Sequence, residues 1–185
     1  MYELSLNIMD IVQNSIRARA TLISISICID EGHDMLTIVI VDNGDGMSEE
    51  SRKSVSDPFF TTRETRKVGL GLPYYEMAAN MCGGAFDIQS APGEGARVSA
   101  SFRISHIDRA PLGDTGQTIA LLAGANPAVD FVLEFKRAGA EGFVFDTREI
   151  KELLEGVRID TPEIVVYMAG YINENIQKIT RGLEL

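Results

Sequence analysis

The most apolar segment of the chain is followed directly by Asp42-Asn43-Gly44-Asp45-Gly46-Met47, in which an acid precedes two glycines that are two residues apart. Glycine lets the backbone turn sharply and allows a ligand to approach it closely. An acid held at a strand end can accept a hydrogen bond from an exocyclic amine. Taken alone, the motif also fits an ordinary turn, because Asn-Gly is a strong hairpin dipeptide. A calcium loop is a poor alternative, since Gly44 and Gly46 occupy positions that would need oxygen donors.

One helix and a β-hairpin are predicted upstream of this motif. Apolar residues recur at helical spacing from Leu4 to Ala20, which predicts an amphipathic helix. Isoleucines alternate with small residues over 23–29, so this segment predicts a strand with one buried face. The apolar run 35–41 predicts a strand covered on both faces, and the short linker 31–34 joins the two strands as a hairpin.

The first helix also carries a polar stripe. Asn7, Asp10, Asn14 and Arg17 are spaced three, four and three residues apart. We therefore expect all four to project from one face, opposite the apolar residues. A carboxylate, an amide and a guanidinium are thereby aligned, although an ordinary solvated helix face carries the same pattern.

A second glycine-rich segment precedes the next predicted helix, which starts near Pro73 and ends at Gly83-Gly84. The segment contains Phe59-Phe60-Thr61-Thr62-Arg63 and then Arg66-Lys67-Val68-Gly69-Leu70-Gly71-Leu72. Glycine amides at a helix N-terminus can cradle a phosphate. The three basic residues form the local island that an acidic protein needs to hold a polyphosphate, while the same composition also fits a solvated loop.

Two more strands are predicted over 85–89 and 97–104, and the turn between them contains Gly93 and Gly95. A helix-borne Asn, Asp-x-Gly-x-Gly, Phe-Phe-Thr-Thr, Gly-Leu-Gly-Leu and Gly-x-Gly-Ala thus follow one another along the chain. In this order, residues 4–104 resemble the ATP-binding module of the GHKL superfamily, which gyrase B subunits, heat-shock chaperones, histidine kinases and MutL share.

The resemblance implies a nucleotide site with ATP and Mg²⁺ as cofactors. Asn14 matches the asparagine that coordinates magnesium, and Asp42 matches the aspartate that receives the adenine amino group. Phe59, Gly93 and Gly95 match neighbouring boxes of the family. The residues that the resemblance places around ATP are Asn14, Arg17, Asp42, Gly44, Gly46, Met47, Phe60, Thr61, Thr62, Arg63, Lys67, Gly69, Leu70, Gly71 and Leu72.

This chain departs from the family pattern where the chemistry is decided. Asp10 lies four residues before Asn14, where gyrase-like ATPases and anti-sigma-factor serine kinases have a glutamate as general base. The resemblance therefore makes Asp10 the candidate catalytic residue. Lys67 stands where the first glycine of the phosphate loop is usual, and Ala96 stands where a threonine is common. The lid that precedes Gly69 is also short.

Composition excludes several classes of function. The 185 residues carry 17 basic and 27 acidic side chains, and the formal net charge of −10 repels nucleic acids and anionic membranes. No apolar run is long enough to span a membrane and the N-terminus lacks a basic signal region. We therefore expect a cytoplasmic protein. The two cysteines have none of the close spacings of a metal site.

These patterns predict an α+β protein. We expect a two-layer α/β sandwich of the Bergerat type over residues 1–105, with a mixed sheet covered by helices on one face. A small α+β extension is expected over 106–185. The linker is placed at about 106–117, where Pro111 and two glycines interrupt any regular pattern.

The extension is predicted to contain one hairpin and two helices. Apolar alternation predicts strands near 129–135 and 143–145. Thr147 is expected to cap a short helix, and Thr161-Pro162 is expected to start a longer one.

Three functions remain open at this stage. The first is a slow ATPase that acts as a nucleotide-dependent regulatory switch. The second is a protein kinase of an external partner, resembling anti-sigma-factor serine kinases or histidine kinases, and the third is an ATP sensor without hydrolysis. A sensor kinase of ordinary build is not expected, because the helix with Asn14 begins within the first few residues. A protein partner of unknown identity is expected, and a homodimer stays open.

Overall fold

The computed structural model describes residues 3–50, 71–181 and 183, which form helices on a β-sheet. Glu49 and Glu50 are helical where the first of these ranges ends. The elements in chain order are α1 (Leu4–Arg17), β1 (Leu22–Asp30), β2 (Met35–Asp42), α2 (Gly71–Met81), β3 (Phe86–Ser90), β4 (Ala96–Arg103), α3 (Thr115–Ala125), β5 (Asp130–Arg137), β6 (Phe143–Asp146), α4 (Thr147–Leu153) and α5 (Pro162–Ile179).

The described strands form one mixed sheet in the order β3-β4-β2-β1-β5-β6. Neighbouring strands are antiparallel except β1 and β5, which are parallel from the Leu22–Asp130 pair to the Ile29–Arg137 pair. The predicted hairpins are confirmed by the pairing of β1 with β2, β3 with β4 and β5 with β6. The expected α+β class with a mixed sheet is therefore confirmed.

Helices cover one face of this sheet in the described part of the chain. The covered face of the two central strands is almost fully buried, through Ile23, Ile25, Ile27, Ile29, Leu36, Ile38 and Ile40. On the opposite face of β2, Val39 is half-buried and Val41 is 38% exposed. The prediction that 35–41 is covered on both faces is therefore wrong. β-branched residues favour any strand, so this composition does not report whether the second face is covered.

Helix α1 packs on the covered face through the apolar stripe that the sequence predicts. Asp10 and Arg17 are exposed and Asn14 is half-buried. Asn7 departs from the expectation, since it is only 3% exposed and its Nδ2 finds no hydrogen-bond partner among the described residues. Asn7 lies at the border of the stripe, and α3 contacts α1, so residues at this border become buried.

Helix α2 closes the core over the β3–β4 edge. The ring of Tyr75 packs against Phe102 and Phe86, with centroids 5.5 and 6.2 Å away. Burial raises the pKa of the Tyr75 phenol. An aromatic cluster of this kind contributes both apolar area and ring geometry to the core.

Helix α3 was not expected, because it begins at Thr115 inside the predicted linker and contains two glycines. It is apolar on most of its surface, so no amphipathic period marks it. The signal that could have identified it is Asp114 followed three residues later by Gln117, the pattern of a helix N-terminus. The Asp114 carboxylate accepts a hydrogen bond from the Gln117 amide at 2.8 Å.

The extension continues the same sheet and the same helical layer. Phe131, Leu133 and Phe135 of β5 are fully buried. Helices α3 and α5 pack closely, since a Cβ on Gly116 would lie 2.5 Å from the Ala169 carbonyl oxygen. The described residues contain no helix that is long and apolar enough to cross a membrane.

Thr147 has a different role from the one predicted. The cap of α4 is Asp146, whose carboxylate accepts a hydrogen bond from the Arg148 amide at 2.9 Å. Thr147 is buried, and its hydroxyl accepts a hydrogen bond from the Phe131 amide at 2.8 Å. The helix that starts after Thr161 is confirmed as α5.

We expect the isolated segment 106–185 not to fold on its own. Its strand β5 pairs with β1 along its whole length, and about 80 residues without that partner bury too little apolar surface. The measurement is thermal unfolding followed by circular dichroism, with an amide spectrum of the same sample. A cooperative melt together with dispersed amide signals would contradict this expectation and define a separate domain.

Candidate functional site

The candidate site is built around Asp42, the last residue of β2. Its side chain faces the helical layer and the residue is only 8% exposed. Oδ1 accepts hydrogen bonds from the amides of Gly44 at 2.9 Å and Ala96 at 3.3 Å. Oδ2 accepts one from the Ser15 hydroxyl at 2.6 Å. A buried carboxylate is therefore held by α1, by the loop that follows β2 and by β4.

The loop after Asp42 is fixed by side-chain and backbone hydrogen bonds. The side-chain oxygen Oδ1 of Asn43 accepts hydrogen bonds from the amides of Thr21 and Leu22 at 2.9 and 3.0 Å. The Asp45 amide donates to the Ala18 carbonyl at 2.7 Å, and the Met47 amide donates to the Ser90 hydroxyl at 2.8 Å. This turn is thus anchored to the end of α1 and to the β3–β4 connection.

The exposed end of the loop carries an ion pair. Arg19 donates to the Asp45 carboxylate at 2.8 Å, and both side chains are largely exposed. This hydrogen bond raises the pKa of the Arg19 guanidinium. An exposed pair contributes little to stability, so its main effect is on the charge near the loop.

Two glycines allow the backbones to approach at this point. Gly46 and Gly95 have φ angles of +69° and +74°. A Cβ on Gly46 would lie 1.9 Å from the Ala91 carbonyl oxygen, and one on Gly95 would lie 2.0 Å from the Asp42 carbonyl oxygen. The glycines of these boxes are therefore required by the packing of the loops on each other, whatever they contact in addition.

The polar side of α1 lies next to the start of α2. A Cβ on Gly71 would lie 3.2 Å from the Cβ of Asp10 and 3.3 Å from its Oδ2. One turn later, Arg17 donates from Nη1 to the amide oxygen of Asn14 at 3.1 Å. Asp10, Asn14 and Arg17 therefore line the side of α1 that approaches the N-terminus of α2.

The structure brings together only part of the predicted set. Asp42, Gly44, Gly46 and Met47 lie in the loop, Asn14 and Arg17 lie on α1, and Gly71 and Leu72 begin α2. The Leu72 side chain is buried in the core. The remaining predicted residues, Phe60, Thr61, Thr62, Arg63, Lys67, Gly69 and Leu70, lie outside the described residues.

Ser15 is the residue of this site that sequence reasoning missed. It lies in the buried stripe of α1, one position after Asn14. The available signal was a hydroxyl at i+4 from Ile11 and i+7 from Ile8, where the helical period calls for an apolar residue. A buried polar residue in such a stripe needs a hydrogen-bond partner, and here the partner is Asp42.

A magnesium ion held by protein side chains alone does not fit this site. Among the described residues, no group of three His, Cys, Asp or Glu side chains could hold a metal. Mg²⁺ commonly takes only one or two protein ligands and completes its shell with phosphate oxygens and water. The amide oxygen of Asn14, half-buried on α1, fits that type of site.

A cavity of about 360 Å³ also borders Asp42, but it lies at the end of the sheet. Its walls include Val41, Gln89 and Arg97, which are exposed. The cavity is lined by Val41, from the face of β2 opposite Asp42, and by no described residue of α1. It is therefore separate from the side on which Asn14 and Asp10 lie.

Comparison with known proteins places the first part of the chain in one family. Residues 3–106 match the family model described as histidine kinase-, DNA gyrase B-, and HSP90-like ATPase. The sensor protein DegM of Bacillus sp. (strain B21-2) is 33% identical over 97 residues, which are 52% of this chain and 26% of DegM. The sensor histidine kinase CpxA of Escherichia coli (strain K12) is 33% identical over 94 residues, 48% of this chain and 20% of CpxA. The match thus spans about a quarter or less of these relatives.

Two solved structures share the fold. The Aquifex aeolicus MutL ATPase domain complexed with ADP superimposes with a TM-score of 0.54 and 14% identity, over 92% of this chain and 70% of that one. The N-terminal domain of a DNA repair protein gives a TM-score of 0.51 and 16% identity, over 77% and 51% of the two chains. At such identities the likeness shows the α+β architecture.

Gly95→Ala should destabilise the protein much more than Gly93→Ala. Gly95 and Gly93 both have a positive φ, +74° and +80°, but no atom of the described residues outside the adjoining chain lies within 4 Å of a Cβ on Gly93. Gly93→Ala, the control variant, should therefore lose only the about 1–2 kcal/mol of stability that backbone strain costs. Gly95→Ala should lose roughly 1–3 kcal/mol more through the clash with the Asp42 carbonyl. Urea unfolding measures both, and equal losses would refute the close backbone contact.

Proposed function

The chain belongs to the histidine kinase-, DNA gyrase B- and HSP90-like ATPase family, and we propose that it binds ATP with Mg²⁺ and hydrolyses it slowly as a regulatory switch. The observation that carries the proposal is the buried Asp42 carboxylate. Among the described residues, three protein donors occupy it, whereas an ionised carboxylate has about four lone-pair sites. One acceptor site is left for the amino group of adenine.

The polar side of α1 supplies the phosphate end of the proposed site. Asn14 would hold Mg²⁺ through its amide oxygen, and the ion would neutralise phosphate charge when bound. That oxygen accepts a hydrogen bond from Arg17 at 3.1 Å, so Arg17 is expected to turn from Asn14 towards the phosphates. The lid residues Arg63 and Lys67 are proposed to add further positive charge.

Asp10 is proposed as the general base of hydrolysis. It is exposed, lies one helical turn before Asn14 and approaches Gly71 at the start of α2. A base must come within about 2.6–3.2 Å of the water that it orients. Aspartate is one methylene shorter than the glutamate common in the family, and a misplacement of order 1 Å can cost about 100-fold in rate. Slow turnover suits a switch better than a metabolic enzyme.

A second candidate is phosphotransfer to a protein partner. It is favoured by the matching relatives, whose names include sensor protein and sensor histidine kinase. Binding of ATP without chemistry is the third alternative. Incubation with labelled Mg-ATP, with and without lysate of the source cells, separates the three, because it yields free phosphate, labelled protein or neither.

We propose that the protein is cytoplasmic and acts on a protein partner. The net charge of −10 opposes binding to nucleic acids and anionic membrane surfaces. Binding of a protein partner would therefore depend on a defined surface patch rather than on the overall charge.

We place this surface in the extension, at a groove of about 290 Å³ between β6, α4 and α5. Its walls include Val144, Leu153 and Tyr167, which are 56%, 78% and 64% exposed. The ring of Tyr167 stacks on that of Tyr171 with centroids 6.2 Å apart. Large apolar side chains grouped at an exposed groove are typical of an interaction site.

The charges around the groove select a basic partner. Glu149 lines it, and Glu152 and Glu163 lie on the same two helices. The neighbouring Arg148 and Lys151 are paired with Asp146 and Asp130, each at 2.6 Å. The groove is thus mainly apolar, with acidic residues on both helices beside it, its acidic rim, which suits a basic amphipathic helix of a partner. A second copy of this acidic chain would bring like charges together.

Asp42→Asn should weaken ATP binding roughly 10–150-fold, the effect of losing one hydrogen bond to a charged group. Titration calorimetry with Mg-ATP measures the affinity. The control is Asp87→Asn, which changes an exposed acid on β3 and should leave binding unchanged. Parental affinity in the Asp42 variant would remove adenine recognition from this residue.

Asp10→Asn should reduce hydrolysis by about 100-fold or more, the usual contribution of a general base, while ATP affinity stays nearly intact. Asp10→Glu should raise turnover, because it restores the missing methylene. Phosphate release measures the rate, with Asp87→Asn again as control. Hydrolysis at the parental rate in Asp10→Asn would show that Asp10 is not the base.

The groove should bind a synthetic amphipathic peptide with leucines at helical spacing and lysines on its flanks. Leu153→Ser should weaken this binding about tenfold, since burying a leucine contributes about 1.5–3 kcal/mol. The matched control is Ile107→Ser, which removes an apolar side chain that is 95% exposed elsewhere. Fluorescence anisotropy gives the affinities.

Two further outcomes test the choice of occupant. A peptide with glutamates in place of lysines should bind far less, and equal binding would remove the role of the acidic rim. Sedimentation should show a monomer. A dimer that Leu153→Ser dissociates would assign the groove to a second copy instead.

A further inference from the structure

Ser15 of α1 donates a hydrogen bond to the carboxylate of Asp42, the last residue of β2. The distance from its Oγ to Oδ2 is 2.6 Å, which is short and typical of a hydroxyl that donates to an ionised acceptor. Ser15 is 4% exposed and Asp42 8%, so little water competes for this hydrogen bond. The pair links α1 to the end of β2.

The Ser15 hydroxyl has one proton and two acceptors within reach. The Ile11 carbonyl lies 3.4 Å away and is the ordinary partner of a serine within a helix. The Asp42 oxygen is 0.8 Å closer, at 2.6 Å against 3.4 Å, and it carries charge. The proton is therefore directed to Asp42.

The two oxygens of Asp42 are held in different ways. Oδ1 is fixed by the backbone amides of Gly44 and Ala96, which no side-chain substitution removes. Among the described residues, the hydrogen bond to Oδ2 comes from Ser15. Rotation of a carboxylate about χ2 is soft and moves both oxygens together, so the Ser15 hydrogen bond at Oδ2 and the two at Oδ1 jointly limit this rotation.

We propose that Ser15 is a positioning residue that restrains rotation of the Asp42 carboxylate from its Oδ2 end and thereby makes the site selective for adenine over guanine. The inference rests on the proposed binding of ATP. With both oxygens fixed, the free lone pair has one direction, which an exocyclic amine can meet as a donor. Guanine presents a carbonyl oxygen there, which meets the carboxylate as a second acceptor and is rejected.

When Ser15 is replaced by alanine, a hydroxyl group can be supplied to Asp42 from position 96 instead. Ala96 pairs directly with Asp42 across β2 and β4, and directly opposed residues of antiparallel strands share a face, with Cβ atoms about 4.5–5.5 Å apart. A serine at 96 can therefore donate to the same carboxylate from the neighbouring strand. This permits a test in which the hydroxyl is moved while the buried helix residue stays small.

The test measures ATP and GTP binding by calorimetry for the parent protein, Ser15→Ala, Ser15→Thr and the double variant Ser15→Ala with Ala96→Ser. Ser15→Ala should weaken ATP binding about tenfold and leave GTP binding unchanged, so the ratio of affinities falls about tenfold. In hydrolysis, KM for ATP should rise while kcat stays the same. Ser15→Thr should retain selectivity because it keeps the hydroxyl group, and the double variant should restore it. Thermal unfolding shows that each variant is folded.

The possible results separate the inference from the function on which it rests. Unchanged selectivity in Ser15→Ala would overturn the inference and leave ATP binding in place. Equal losses in Ser15→Ala and in both hydroxyl-bearing variants would also overturn it, because packing rather than hydrogen bonding would then decide. A parent protein that binds no ATP would overturn the proposed function and the inference together.

Discussion

Burial of the Asp42 carboxylate is the constraint on which the arrangement of this molecule depends. A buried charge is costly unless hydrogen-bond donors surround it. Here the donors come from α1 through Ser15, from the turn through the Gly44 amide and from β4 through the Ala96 amide. The carboxylate therefore determines how close the helical layer, the loop and the strand must lie. The same crowding forces glycine at position 95, whose neighbour is the Asp42 carbonyl oxygen.

Features with a strong period or a local turn signal could be predicted from the sequence. The isoleucine alternation of β1 and the acid at the end of β2 lie where they were expected. Both depend on neighbours along the chain, so a one-dimensional pattern is enough to reveal them. The order of the motifs also predicted the family, which a match over residues 3–106 confirms.

Features that depend on contacts distant in the sequence could not be predicted in this way. Asn7 is buried although its spacing predicts an exposed residue, and α3, which contacts α1, has no amphipathic period that would reveal it. The parallel pairing of β1 with β5 joins residues more than a hundred positions apart. No local turn signal in the sequence can indicate such a pairing. Ser15 illustrates the same limit at the site, since its partner Asp42 is 27 residues away.

The parallel pairing gives the proposed switch a bonded route from the Asp42 loop to the groove. Asn43 accepts from the Thr21 amide, and the Thr21 carbonyl accepts from the Asp130 amide at 2.8 Å. The Asp130 carboxylate pairs with Lys151 of α4, which forms one wall of the groove.

A contiguous route transmits a signal only if some element along it can adopt two conformations. β1 lies inside the sheet, paired with β2 and β5 and packed against the core on one face, so it resists deformation. The element that moves is therefore expected to be α4, which directly follows the edge strand β6 and carries the exposed Leu153.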